Sequence, residues 1–382
     1  MSICLCMIVK DEAHIIEKTL ENILKSIPIS YWVISDTGST DTTIPLIKSF
    51  FEKRTIPGEL VEHEWKDFAH NRTKSLECAF NKTDYAFIFD ADDEILGTLV
   101  LPPLTKDRYM FTFGKEFSYT RPLLITNRKK WFYTGVLHEY LDSSEQRGTD
   151  YITGNYYIES GRTGARSKNP NKYAEDAIIL KNAYETEPRK DLKSRYSFYC
   201  AQSYKDAKNH EESITWYKTC LDLQGWDQEK YYACLQLGDM YESNMEMAQY
   251  YWCKSSQYDP ERIEGLVSLA LLLYRKGNHV LVNALYHKCK DIPLPKGKLF
   301  LRVPLYSEID YLNSISAYYA RDSASGYRCC KHVIQTYKDK NKVDQCIKNL
   351  VFYKDLLVQD KPFMKVLSTM EVPKFLFTPL KI

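Results

Sequence analysis

The chain has 382 residues and a formal net charge of +2, with 52 basic and 50 acidic side chains interspersed along it. That length admits two domains that each bury a core, and the balance of charge gives no electrostatic argument for nucleic acid or an anionic membrane as partner. Aromatic residues make up 14% of the chain, 30 of them tyrosine, which argues against disorder.

Eleven cysteines, odd in number and without a C-x-x-C pair, read as reduced core thiols and predict a cytoplasmic setting. Ser2 to Val9 is apolar but lacks a basic flank and is too short for a signal peptide, and no later run reaches the length of a membrane span. In that setting the sequons at Asn71 and Asn81 carry no glycan.

In chain order, Ile3 to Val9 is a continuous apolar run that predicts a strand, followed by the turn Lys10-Asp11-Glu12-Ala13. Ile16, Leu20, Ile23, Leu24 and Ile27 then recur at helical spacing up to Pro28. Tyr31 to Ser35 is a second strand, ending in Asp36-Thr37-Gly38-Ser39-Thr40-Asp41. Gly38 suits a positive-φ turn there, and Asp41 can cap a helix whose apolar face is Ile44, Ile47, Phe50 and Phe51. Leu60 to Trp65 is a weaker strand, and a helix from about Asn71 to Phe80 leads to the apolar run Tyr85 to Phe89. Short apolar strands alternating with helices predict an α/β fold with a mostly parallel sheet and helices on both faces. Ligands of such sheets bind outside the carboxyl ends of the strands. Asp11, Asp36, Asp41, Asp90 and Asp92 all fall at predicted strand ends.

The strongest local signal follows the third of these strands. Asp90, Asp92, Asp93 and Glu94 crowd four carboxylates into five positions with no Lys or Arg among them. Like-charge repulsion makes that costly unless a divalent cation or a cationic ligand sits there. An all-oxygen ligand set favours Mg²⁺ or Mn²⁺, which keep waters and share substrate phosphates.

Met7-Ile8-Val9-Lys10-Asp11-Glu12, Asp36-Thr37-Gly38-Ser39-Thr40-Asp41 and Asp90-Ala91-Asp92-Asp93-Glu94 together resemble the motifs of family 2 glycosyltransferases of the GT-A fold, in the same order over about residues 1 to 140. The resemblance implies a Rossmann-like nucleotide-diphospho-sugar transferase domain at residues 1–165. It implies that Val9 and Asp11 border a nucleobase, that Asp36 reaches the base or ribose, and that Asp90-Ala91 lies near the ribose. Asp92 would ligate Mn²⁺ or Mg²⁺ on the diphosphate of a nucleotide sugar, a UDP-sugar by family frequency. Phe68-Ala69-His70-Asn71-Arg72 is similar to the segment before the third motif, which makes Arg72 and Lys74 candidates to face the nucleotide.

Residues 108–140 are β-rich: Tyr109 to Phe113, Phe117 to Thr126 and Trp131 to Leu137. His138-Glu139-Tyr140-Leu141-Asp142 follows and is not a zincin motif, because the second His is absent. By the same resemblance His138 would complete the metal shell. An inverting transfer needs a carboxylate base. The Glu-Asp pair common in the family has no clean copy, so Glu139 is the first candidate and Asp142 the second. The polar, basic segment 153–172, with Arg166, can close over a diphosphate or link two domains.

Taken singly, several of these residues have plainer readings. Asp41 can be a helix cap, Asp11 and Glu12 can favour a helix N-terminus, and Arg72 can be a solvated surface charge. Two capping acids do not explain four clustered carboxylates.

Residues 166–382 predict an all-α domain. Small-residue anchors at Ala201, Gly238 and Ala270 stand 37 and 32 positions apart, near the tetratricopeptide period, and a fourth copy is expected at Ala317 to Val333. These look like degenerate tetratricopeptide repeats, which either bind a protein or glycan acceptor, buttress the catalytic domain or pair two subunits as a homodimer. The competing readings are an interaction protein with an inactive sugar-nucleotide domain, an aspartyl phosphatase and a nucleotidyltransferase. Glu94 and the late position of Asp-x-Asp disfavour the phosphatase, and the absence of a basic glycine-rich loop after the first strand disfavours the nucleotidyltransferase.

Overall fold

The structure, a computed structural model, describes residues 1–145, 148–161 and 169–370. Its first part is β1 (Ile3–Val9), α1 (Ile16–Ser26), β2 (Tyr31–Asp36), α2 (Thr43–Glu52), β3 (Gly58–Glu62), α3 (Phe68–Ala79) and β4 (Tyr85–Ile88). Then come β5 (Glu94–Thr98), β6 (Arg108–Phe113), β7 (Phe117–Thr126), β8 (Phe132–Thr134), β9 (Tyr140–Asp142), β10 (Thr149–Tyr151) and β11 (Asn155–Glu159). The sheet runs in the order β3-β2-β1-β4-β7-β6-β11-β5, with β10 beside β6 and β8-β9 a separate ribbon. The first four of these neighbours are parallel, but β7 joins β4 antiparallel and the far half continues mixed. The predicted mostly parallel sheet is therefore a mixed, GT-A-like one.

Alternation along β1 explains how the sheet is covered on both sides. Ile3, Leu5, Met7 and Val9 pack with Leu20 and Ile23 of α1 and with Ile47 and Phe51 of α2. Cys4 and Cys6 point the other way, onto Leu76 and Ala79 of α3. α1 ends at Ser26, before Pro28, and α3 starts at Asp67, whose carboxylate accepts the His70 amide at 2.7 Å. That cap starts the helix three residues earlier than apolar spacing predicts. Among the β-rich residues after 130, only Phe132–Thr134 forms a strand before Gly135 turns the chain.

From Lys172 the chain is helical: α4 (Lys172–Thr186), α5 (Lys190–Asp206), α6 (His210–Asp222), α7 (Asp227–Met240), α8 (Met245–Tyr258), α9 (Glu264–Arg275) and α10 (His279–Cys289). After a connection come α11 (Leu305–Tyr319), α12 (Ser323–Thr336), α13 (Lys340–Asn349), α14 (Lys354–Gln359) and α15 (Lys361–Leu367). No helix among the described residues is long and apolar enough to cross a membrane. By packing, the chain divides into two compact units, residues 1–233 with 297–301, and residues 234–296 with 302–382. The first unit thus holds α4, α5 and α6 as well as the sheet.

The helices form hairpins. Asn209, Asn244, Asn278 and Asp322 each cap a helix by accepting the amide three residues on. The predicted anchors Ala201, Ala270 and Ala317 are fully buried. At Gly238 a Cβ would stand 2.3 Å from the Trp252 ring, so only glycine allows this approach. Gly238→Ala is expected to cost about 1–3 kcal/mol through overpacking, read as a lower urea midpoint at unchanged slope. Asp322 also accepts from His287, Asn283 and the Ser325 hydroxyl. Burial would raise its carboxyl, but these hydrogen bonds, from Ser325 and then His287 and Asn283, hold it well below 3.8. A depressed folded pKa gives stability that is present above the unfolded value and lost as pH falls below it. Asp322→Ala is therefore expected to cost roughly 0.5–2 kcal/mol at pH 7, and the gap between variant and parent melting temperatures is expected to narrow as pH falls below 3.8.

Candidate functional site

Parallel pairing of β1 with β2 sets Val9 opposite Asp36, and pairing of β1 with β4 brings Ile88 to the same edge. The first two strand ends interlock. Thr37 donates its amide and its hydroxyl to the Val9 carbonyl, and Thr40 donates its amide to Asp11 Oδ1 at 2.7 Å. The Asp11 amide in turn donates to Ser39 Oγ at 3.0 Å, with Asp11 itself at a φ of 54°. Asp41 accepts from the Thr43 amide and hydroxyl, the capping its sequence position predicts, and from the Ala13 amide. Asp36 is 3% exposed. Its Oδ2 accepts from the amides of Gly38 and Ser39, both at 2.9 Å, whereas Oδ1 is buried with no hydrogen-bond partner among the described residues. A buried acceptor left unmade is costly, and it is well matched to an N–H or hydroxyl donor supplied by a ligand.

Beyond β4 the acids have cationic partners. Arg72, on the second turn of α3, places Nη1 2.6 Å from Asp90 Oδ1 and Nε 2.8 Å from Glu139 Oε1. Arg121, projecting from β7, places both terminal nitrogens 3.3 Å from Asp90 Oδ2, and its Nη1 lies 3.8 Å from Asp93. Burial alone would raise the Asp90 carboxyl; the guanidinium groups of Arg72 and then Arg121 overcome it and hold Asp90 far below the ordinary range. Burial would likewise lower Arg72, and Asp90 with Glu139 reverses that. Asp93 is 3% exposed, and burial together with repulsion from Asp90 pushes it up to about 7. Its Oδ1 accepts from Ser160 Oγ and the Gly161 amide, which fastens the end of β11 to the acidic turn. At Gly161 a Cβ would lie 1.8 Å from the Asp92 carbonyl oxygen, so the two backbones touch. Glu94 pairs with Lys18 at 3.0 Å on the surface.

The local lack of Lys and Arg around the four acids is thus made good by Arg72, Arg121 and Lys18 from distant parts of the chain. The expected external cation is therefore not needed to balance all four. Asp92 is partly exposed beside this cluster. Ala91 is buried, and its carbonyl accepts from Thr19 Oγ1 at 2.6 Å.

Lys74 is not brought to the cluster. Two residues on from Arg72, it lies about 200° round the helix, where it pairs with Glu77 on an exposed face. His138 sits at a φ of 53° with its ring stacked 4.1 Å from that of Tyr199. Asp142 lies on the β8-β9 ribbon, and its Oδ1 accepts the Ser143 amide. Arg166 falls outside the described residues. Among the described residues, no three His, Cys, Asp or Glu side chains are placed to hold a metal ion. The residues fit a divalent cation only as a shared one, with Asp92 as the carboxylate and a ligand's own phosphate oxygens completing the shell. Arg121 escaped sequence reasoning. The one available cue was a single Arg within the otherwise uncharged run Phe117 to Thr126.

Residues 4–107 match the family model described as Glycosyl transferase family 2, which supports a glycosyltransferase domain in the sheet region. None of the curated proteins compared with the chain matches it. Among solved structures, the chain is similar to S. aureus TarS 1-349 in complex with UDP, at 10% identity and a TM-score of 0.32, covering 78% of this chain and 98% of that one. The same protein in complex with UDP-GlcNAc gives 11% identity and 0.33, covering 79% and 99%. The mannosyltransferase PcManGT from Pyrobaculum calidifontis, in complex with GDP-Man and Mn²⁺, gives 13% and 0.29, covering 67% and 75%. At these values the three structures carry no argument about donor or acceptor.

Arg72→Ala takes the guanidinium from Glu139 and leaves Asp90 with Arg121 alone, at a site where Arg72 is 10% and Glu139 11% exposed. Removing one member of a buried ion pair costs about 3–5 kcal/mol. Arg72→Ala is expected to lose that much in denaturant unfolding at pH 7, and adding Asp90→Asn and Glu139→Gln to recover part of it. A loss that those two additions leave unchanged would contradict the assignment of Arg72 as their counter-ion.

Proposed function

We propose that the chain is a glycosyltransferase that moves a sugar from a nucleotide-sugar donor, a UDP-sugar in the first instance, to a glycan or protein acceptor. The observation that carries this reading is the orphaned, buried Asp36 Oδ1 at the strand edge that also bears Asp11 and the acid-arginine cluster. In this reading Val9, Asp11 and Asp36 hold the base and ribose, with the Asp36 oxygen accepting from the nucleoside. Asp90-Ala91 borders the ribose, Arg72 keeps the Asp90 carboxylate in place, and Arg166 joins the diphosphate side. Asp92, with His138, would hold Mn²⁺ or Mg²⁺. That ion would neutralise charge on the departing diphosphate.

The chemistry breaks the bond between the anomeric carbon and the diphosphate oxygen and forms one to the acceptor oxygen. Glu139 takes the acceptor's proton, held in orientation by Arg72 at Oε1, and Asp142 is the second candidate. A carboxylate base of this kind corresponds to an inverting transfer. We assign residues 1–165 to the catalytic domain and 166–382 to tetratricopeptide-like hairpins that support it, engage the acceptor or pair two copies, in a cytoplasmic protein.

Thermal melting with UDP, UDP-sugars and GDP-mannose, with Mn²⁺ or with EDTA, tests this. UDP at 100 times its dissociation constant is expected to stabilise the native state by about 2.7 kcal/mol in the presence of Mn²⁺ and far less in EDTA. Asp92→Ala is expected to remove the metal-dependent part, and Asp36→Asn to weaken nucleotide binding with or without metal. If no nucleotide shifts the melt under either condition, the reading falls and an inactive sugar-nucleotide domain on a helical interaction protein replaces it.

A further inference from the structure

His138 adopts a φ of 53°, a left-handed conformation that is strained for a non-glycine residue and persists only where the surroundings over-determine it. Most of those surroundings come from α5. Arg195 directs two arms of its guanidinium at one acceptor, with Nε 3.1 Å and Nη2 2.7 Å from the His138 carbonyl oxygen. Its third nitrogen, Nη1, is anchored 2.6 Å from Glu229 Oε1, whose side chain is 3% exposed. The same guanidinium lies 5.3 Å over the Tyr140 ring and 4.8 Å over that of Tyr199. Tyr199, one turn further along α5, stacks on the His138 imidazole with planes 10° apart. Tyr196 accepts the Val136 amide at 3.3 Å, and Arg189, just before α5, donates to the Tyr140 hydroxyl at 3.1 Å. Four side chains of a single helix and its lead-in therefore grip residues 136–140, while Glu139 turns the opposite way to meet Arg72.

We infer that α5 is a working part of the active site and that Arg195 is its positioning residue, fixing the turn from which His138 and Glu139 project. This rests on the reading given above, which puts those two residues at the metal and the acceptor. A cation alone does not do this work. The planar fork holds one carbonyl with two N–H groups while a third group is tied to a buried carboxylate, which an ammonium cannot copy. The plainer alternative is that Arg195 serves only to pack a helix against the sheet. In that case its loss lowers stability without a specific effect on turnover.

Two readouts on the full-length protein separate these. In amide hydrogen exchange, Arg195→Lys is expected to speed exchange in peptides spanning 134–141 by tenfold or more, with peptides from β1 and β4 unchanged. Unchanged exchange in 134–141, or faster exchange throughout the chain, overturns the inference. In Mn²⁺-dependent hydrolysis of the UDP-sugar that best stabilises the parent protein, Arg195→Lys is expected to lower kcat at least tenfold while the donor KM stays within twofold. A kcat within twofold of the parent, or a KM that rises in step with the loss, also overturns it. If the parent protein neither binds nor hydrolyses any nucleotide sugar, the proposed function fails by itself. Exchange in 134–141 then decides alone whether α5 sets that turn.

Discussion

The structure of the strand-end edge depends on one buried guanidinium. Arg72 joins the second turn of α3, the acidic turn after β4 and the segment that follows the β8 strand, three pieces of chain that share no local sequence. A charge removed from water is tolerated only where geometry and hydrogen bonds repay the loss of hydration. Two carboxylates at 2.6 and 2.8 Å meet that condition. The position of Arg72 is itself fixed from below. Asp67 caps α3, and the buried side chain of Asn71 accepts from the Lys66 amide and donates to the Glu64 carbonyl, so the start of the helix cannot drift. Arg121 completes the arrangement from β7, and with both arginines present Asp90 stays charged in a site that would otherwise favour its neutral form.

Around that hub the sheet divides the work. Its parallel half delivers three strand ends to one edge, where backbone amides and hydroxyl side chains hold the carboxylates of Asp11, Asp36 and Asp41. Asp36 Oδ1 is buried there with no hydrogen-bond partner among the described residues. The antiparallel half contributes Arg121 and, through Asp93 with Ser160 and Gly161, ties the last strand of the region to the metal-type motif. Of four adjacent carboxylates, Asp90 and Glu94 are paired to bases and Asp93 is buried and hydrogen-bonded, so the cluster is differentiated rather than uniformly repulsive.

The helical part is built by repetition. An Asx cap opens the second helix in each of four hairpins, and small residues sit where helices cross most closely, as at Gly238 against Trp252. Yet the earliest helices belong to the same compact unit as the sheet, and α5 spends its charged and aromatic residues on the 136–140 turn. The change of sequence character near residue 166 marks where helices begin; it does not mark where the packing unit of the sheet ends.

Local periodicity and capping determined much of this protein by themselves. The largely buried β1 and β2, the amphipathic α1 ending before Pro28, the hydrogen bonds of Asp41 at the start of α2 and the helical anchors were all legible, because each depends on residues within a few positions of one another. The three acidic motifs were legible as well, and Arg72 was singled out beside them. Their partners were not. That Asp90 is shared by Arg72 and Arg121, that Glu139 faces Arg72 and that His138 is gripped by Arg195 are pairings between residues 18 to 67 positions apart. Spacing along a chain fixes which face of a helix or strand a residue occupies, but only the closure of the sheet and the docking of α5 bring those faces together. Charge compensation in a low-dielectric site is settled by distance in space, and so it was decided by the tertiary structure.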